Sequence, residues 1–180
     1  MMKMTDRDYK IIEFIKEFKI VSSSTIARLY FPSLATAERR LKKLVDHRKL
    51  FRTRDNIISE YIYYIKKPTN LKHCILIAEV YSKLATNKNI QLIKYKREYE
   101  IKFRAKTFRT DLMAVIKSNN KLIPVLIEID LTKSYSNKYD EYINSKYYQQ
   151  KFPIVPVIVV ISNRTPKSSI NIIWYKLNQL

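Results

Sequence analysis

Not one of the 180 residues in this chain is glycine. Average usage would supply about a dozen. Glycine accepts positive φ without penalty and lets a backbone crowd a ligand. Its absence excludes a G-x-G-x-x-G dinucleotide loop, a Walker A loop, an EF-hand loop and a glycine-flanked nucleophile elbow. Left-handed turn positions are therefore expected on Asn or Asp, the next most tolerant residues.

Charge narrows the partners. The chain carries 35 Lys and Arg against 16 Asp and Glu, a formal charge of +19. The excess is not a tail: residues 1–75 hold 17 basic and eight acidic groups, and residues 76–180 hold 18 and eight. A folded body this basic repels itself unless it meets a polyanion. Double-stranded DNA is the expected partner, since phosphate neutralisation supplies most non-specific affinity. Hydrophobic residues make up 46% of the chain, too many for a disordered basic arm. The single cysteine, Cys74, rules out a disulfide framework and a Cys-rich zinc site. The longest apolar run, from Ile154 to Ile161, is broken by Pro156 and too short for a bilayer. Met1-Met2-Lys3-Met4 leads directly into charged residues without an apolar signal core. A soluble, cytoplasmic protein with no membrane partner is expected.

Thr5 and Asp8 form a T-x-x-D capping box, followed by Ile11, Ile12, Ile15 and Phe18 at helical spacing. Ser22-Ser23-Ser24 caps a short second helix from Thr25 to about Tyr30, with Ile26, Leu29 and Tyr30 inward. Pro32-Ser33 opens a third, from about Leu34 to His47, whose apolar face holds Leu34, Ala37, Leu41, Leu44 and Val45. Leu50 to Arg54, the turn pair Asp55-Asn56 and Tyr61 to Ile65 read as a β-hairpin. Three short helices and a hairpin are the order of a winged helix-turn-helix. Projected at 100° per residue, the third helix turns Thr36, Arg39, Arg40, Lys43 and His47 away from its core. Arg pairs bidentately with guanine and Lys meets phosphate. Arg52 and Arg54 on the hairpin extend that candidate DNA surface.

Lys66-Lys67-Pro68-Thr69 marks the expected boundary between domains 1–67 and 68–180. Thr69 or Asn70 caps a helix through about Ala85. Strands are expected at Ile90–Tyr95, which Tyr99–Phe103 either extends or pairs with, and at Thr110–Lys117 and Leu122–Asp130. A helix is expected over Ser136–Phe152, then strands over Val155–Ile161 and Ile170–Leu177. The fold class is mixed α/β (α+β), with a second half ordered α-β-β-β-α-β plus a terminal strand.

In that half the acids are the informative groups. Glu128 and Asp130 share a face of one strand. If the preceding strand pairs across Ser118–Lys121, Asp111 opposes Glu128. Three carboxylates on one patch would suit a divalent cation, which prefers a few carboxylates plus water and phosphate oxygens. Salt bridges to Lys133, Lys138 or Arg109 are the alternative. Fourteen tyrosines raise a relaxase-type nucleophile, but that chemistry needs two closely spaced histidines. His47 and His73 are the only two, and they fall in different expected domains.

Asp111 on one strand and Glu128 on the next, in that element order, resemble the PD-(D/E)XK nuclease core. The whole chain resembles the bacterial replication-relaxation family of plasmids and conjugative elements. The residues that carry the resemblance are Thr25-Ile26-Ala27-Arg28-Leu29-Tyr30, Arg39-Arg40-Leu41-Lys42-Lys43-Leu44 and Leu71-Lys72-His73 in the first half. In the second they are Arg109-Thr110-Asp111-Leu112, Val125-Leu126-Ile127-Glu128-Ile129-Asp130 and Lys138-Tyr139. The resemblance implies an N-terminal winged helix, a nuclease-like second domain and a role in plasmid, phage or conjugative-element replication or transfer. It implies candidate catalytic residues Asp111, Glu128, Asp130 and Lys138, with Mg²⁺ on Asp111 and Glu128 if the site is active. Two departures argue against activity. Thr110 stands where the pattern has Pro, and Asp130 stands where it has the catalytic Lys. The expected protein is thus a DNA-binding accessory factor needing no cofactor. A relaxase or replication initiator is an expected protein partner. A homodimer is compatible with the reading, although no zipper is present. A Mg²⁺-dependent nuclease, a transcriptional regulator and a docking module are the alternatives.

Overall fold

A computed structural model of the chain describes residues 2–54, 59–131 and 138–177. It is a mixed α+β protein in two compact units, Met1–Thr86 and Asn87–Leu180.

The first unit begins with α1 (Asp6–Phe18), whose capping box forms as the sequence suggests: Thr5 Oγ1 accepts from Asp8 N, and Asp8 Oδ2 accepts from Thr5 N at 2.7 Å. Then come β1 (Ile20–Ser22), α2 (Ser23–Tyr30) capped by Ser22, and α3 (Leu34–Asp46) capped by Ser33. Strands β2 (Phe51–Arg54) and β3 (Tyr61–Tyr64) follow, and helix α4 (Leu71–Thr86) ends the unit. The three strands form an antiparallel sheet in the order β1-β3-β2. The expected turn at Asp55-Asn56 lies outside the described residues.

The division between units falls later than the Lys67–Pro68 junction, because α4 packs into the first unit. Cys74 and Ile75 join Ile20 and Ile62 in one apolar cluster. The Tyr81 ring sits 5.4 Å from Phe14 and 4.9 Å from Phe18. Arg28 on α2 meets Glu79 at 2.9 Å, and Thr25 Oγ1 donates to the same carboxylate at 2.8 Å.

The second unit contains β4 (Gln91–Phe103), β5 (Lys106–Ser118), β6 (Lys121–Asp130), α5 (Lys138–Asn144), a 3-10 turn (Tyr147–Gln150), β7 (Val157–Ser162) and β8 (Ile172–Tyr175). Its sheet runs β4-β5-β6-β7-β8, antiparallel through β6 and parallel beyond. Of the two alternatives for 99–103, it extends the strand at 90–95 as one β4, with a register shift between Leu92 and Lys94 and Glu98 at φ 47°. The expected helix over 136–152 is broken, and residues 136–137 lie outside the described part. Lys146 adopts φ 58° after α5, and the 3-10 turn begins there. That break lets Tyr148 and Phe152 join Tyr139 and Tyr142 against Phe103, Leu126 and Ile158 in one core.

Eight of the described residues hold positive φ, and they overturn the expectation that Asn or Asp would hold every such position. Only Asn119 and Asn120 obey it; Lys19, Arg48, Ser59, Glu98, Arg104 and Lys146 are the others. The surrounding packing imposes a conformation these side chains do not favour.

Candidate functional site

Helix α3 is fixed by its cap and by its inner face. Ser33 Oγ accepts from Thr36 N at 3.3 Å and also bonds the Thr36 hydroxyl. Ala37, Leu41 and Leu44 are fully buried, whereas Leu34, expected in the core, is 41% exposed. Helical periodicity therefore turns Arg39, Lys42 and Lys43 outward, and all three are exposed. With Thr36, Arg40 and Asp46 they line a shallow surface depression. Lys42 was not among the expected contacts, although its place beside Lys43 could have signalled it. It pairs with exposed Asp46 at 3.5 Å, a weak contact at the surface.

Arg40 is different. Its Nε donates to Asp8 Oδ1 at 2.7 Å, its second nitrogen donates to Asp8 Oδ2, and it also reaches the Lys3 carbonyl at 3.1 Å. Asp8 is completely buried. Burial pushes its carboxyl up, but the Arg40 hydrogen bonds and the Thr5 donors outweigh that and hold it at about 2. Arg40 thus clamps α3 to the start of α1 and has its planar donor fork engaged. It was expected on the DNA face; its fork is spent inside the protein.

Around α3, His47 Nδ1 lies 2.9 Å from the Lys43 carbonyl, so this ring closes the helix C-terminus. The chain then reverses through Arg48 at φ 55° and exposed Lys49 into β2. On β2, the Arg52 guanidinium lies 4.2 Å from the Tyr61 ring centroid, a cation–π contact. Arg54 is exposed. Residues 47–54 contain no carboxylate.

The second group of expected residues lies where β5, β6 and α5 meet. Pairing of Leu112 with Ile127 and of Ser118 with Lys121 gives the expected β5–β6 register. One step beyond the paired run, Asp111 Oδ2 accepts from Ile129 N at 2.7 Å. The Glu128 side chain is 13% exposed. One of its oxygens accepts from Lys138 Nζ, and the other from the Tyr139 hydroxyl at 2.8 Å. Lys138 also donates to the Arg109 carbonyl at 2.8 Å. Burial pushes Glu128 up to about 7, with Lys138 opposing the rise and Asp111 adding to it. Tyr139 and Thr110 were not expected here. Tyr139 is fully buried, and the Thr110 hydroxyl donates to Ile127 O at 2.7 Å.

Lys138 thus brings an ammonium to Glu128 from another element, while Asp130 occupies the position two residues beyond it. Lys146 caps the 3-10 turn and Lys133 lies outside the described residues. A Mg²⁺ ion here would have to compete with hydrogen bonds already made. Both Glu128 oxygens already accept hydrogen bonds, one from a cation, and one Asp111 oxygen serves the backbone. Among the described residues no three of His, Cys, Asp or Glu gather as a metal-binding group. His47 and His73 both belong to the first unit, contrary to the expected separation. No helix among the described residues is long and apolar enough to cross a membrane.

Compared with family models, with curated proteins and with solved structures, the chain matches none.

Proposed function

We propose that this protein binds duplex DNA through a winged helix-turn-helix formed by α1–α3 and the β1-β3-β2 sheet, with α3 in the major groove. The observation that carries the reading is the outward row of Arg39, Lys42 and Lys43, continued by Arg48, Lys49 and Arg54. Exposed cations on a rigid helix that packs by its opposite face suit phosphate and base-edge contact. Arg52 and Arg54 then act as wing contacts to the backbone or minor groove. The resemblance to the replication-relaxation family supports an accessory role in replication or transfer of a plasmid, phage or conjugative element, with a relaxase or replication initiator as protein partner.

Fluorescence anisotropy on a labelled duplex, from 50 to 200 mM salt, tests it. The double variant Arg39→Ala/Lys43→Ala is expected to weaken binding by about 10- to 100-fold and to reduce the salt slope by about 2. Arg40 is left intact because its loss would act through folding. Wild-type affinity and slope in the double variant would sink the assignment.

A Mg²⁺-dependent nuclease using Asp111 and Glu128 is the rival reading, supported by the arrival of Lys138 at Glu128. Cutting of supercoiled DNA with Mg²⁺ or Mn²⁺, lost in Asp111→Ala and in Glu128→Ala, would establish it. Intact DNA across both metals would remove it.

A further inference from the structure

A depression of about 500 Å³ opens on the first unit between the end of α1 and the segment after β3. Half-buried Ile65 and Pro68 give its accessible apolar lining, over fully buried Ile15. Around them stand Lys16 and Lys19 from one segment and Lys66 and Lys67 from another. No carboxylate lines it. Lys16 meets Glu13 at 2.5 Å along the exposed surface of α1, an i,i+3 pair of small worth.

Two of these lysines have a local explanation, since cations near a helix C-terminus suit its dipole. Lys66 and Lys67 do not. They arrive from a distant part of the chain and add two like charges to a rim that already holds Lys16 and Lys19, an arrangement that favours an anionic ligand. Lys19 even takes φ 70° at the α1 C-cap, where glycine is usual. The volume lies within the range of ligand pockets.

The lining decides which anion. A nucleic acid would engage the four ammonium groups through phosphate, but the pocket offers its bases neither an aromatic ring nor a guanidinium. A segment with an aliphatic or aromatic side chain flanked by carboxylates satisfies both parts: the apolar side chain fills the depression and the acids meet the lysines. We propose that this depression docks an acidic, apolar-anchored peptide segment of a partner protein. The site is separate from α3, so it stands whether or not the DNA reading does.

The test titrates the full chain, at about 100 mM salt, against fluorescein-labelled 12-residue peptides of Glu and Asp around a central Leu, Ile, Phe or Trp. An otherwise identical peptide with central Ala and a dT12 oligonucleotide serve as comparisons. At least one anchored peptide is expected to bind about tenfold more tightly than the Ala peptide. The Lys19→Glu/Lys66→Glu/Lys67→Glu variant is expected to lose about tenfold or more of that affinity while keeping duplex-DNA affinity within about threefold. If the triple variant is misfolded by circular dichroism, Lys66→Gln/Lys67→Gln at two exposed positions takes its place, with a loss of about threefold or more expected. Equal binding of anchored and Ala peptides would overturn the proposal, as would lysine variants that bind like wild type. So would equal losses of peptide and duplex affinity, which would make the rim a nucleic-acid surface.

Discussion

Two buried carboxylates, one in each unit, show how partner chemistry decides what burial does. Asp8 is sealed by the Arg40 fork and by two donors from Thr5, and its carboxyl falls to about 2 despite desolvation. Glu79 follows the same pattern: burial raises it, but Arg28 and Thr25 more than compensate and it is lowered. Glu128 has an ammonium and a phenol instead, lies near Asp111, and rises to about 7. A planar fork answers both carboxylate oxygens with charge-assisted bonds, which a single ammonium cannot do. The first unit thus commits Asp8 and Glu79 to arginine clamps between its helices. The second unit keeps an acid that titrates near neutrality.

The largest test breaks the clamp. Asp8→Ala removes the capping box and leaves Arg40 half-buried without its carboxylate. Chemical denaturation is expected to show a loss of about 3–4 kcal/mol. Arg39→Ala, one residue from Arg40, is expected to stay within about 0.5 kcal/mol of wild type. Similar losses in both variants would mean that Arg40 is no more structural than its neighbour.

The pH dependence sharpens the contrast. The folded Glu128 value lies above the ordinary 4.5, so the folded state holds the proton more tightly. Its contribution is complete below about pH 4.5 and is lost as pH rises through about 7, on the order of 3 kcal/mol in all. Glu128→Gln should flatten that slope. Asp8 runs the other way. Its contribution is present above its ordinary 3.8 and is lost as pH falls through about 2, roughly 2 kcal/mol. Denaturation midpoints from pH 2 to 8, wild type against Glu128→Gln, measure both. A flat wild-type profile between pH 4.5 and 7 would contradict the Glu128 environment described here.

A smaller effect is expected at the turn after α3. Arg48 holds φ 55°, so Arg48→Gly should relieve strain and raise stability by about 1 kcal/mol. If this turn meets DNA, the same change should lower the salt slope by about 1. A gain in stability with an unchanged slope would make Arg48 a turn residue only.

Much of the local structure was legible because its causes are local. Thr5 and Asp8 are three residues apart, and so are a cap and the amide it satisfies. The β5–β6 register followed from counting outward from Asn119-Asn120, since a hairpin propagates its turn. Strand β1 was missed: Ile20-Val21-Ser22 is too short to show an alternation, and its identity comes from pairing with β3. The Arg40 role was hidden because its partner is 32 positions away. Helical projection placed Arg40 near the solvent side and could not reveal a buried acid on another helix. The α4 assignment failed for the same reason, since Pro68 interrupts the chain but does not say which sheet the next helix covers. In the sequence Lys138 is one alternative beside Lys133 and Arg109, and only its place at the head of α5 singles it out.

The glycine-free turns also bear on the order of folding. Asn119 at φ 47° and Asn120 at φ 62° close β5 onto β6 with a two-residue turn whose residues tolerate that geometry unaided. Arg104, which joins β4 to β5, holds φ 53° without such tolerance and must be forced there by strands already paired. The β5–β6 hairpin is therefore expected to form early in the second unit and the β4–β5 junction late. In stopped-flow refolding, Asn120→Ala should mainly slow folding, whereas Arg104→Gly should mainly slow unfolding. The reverse pattern would mean that the rate of this unit is not set at its turns.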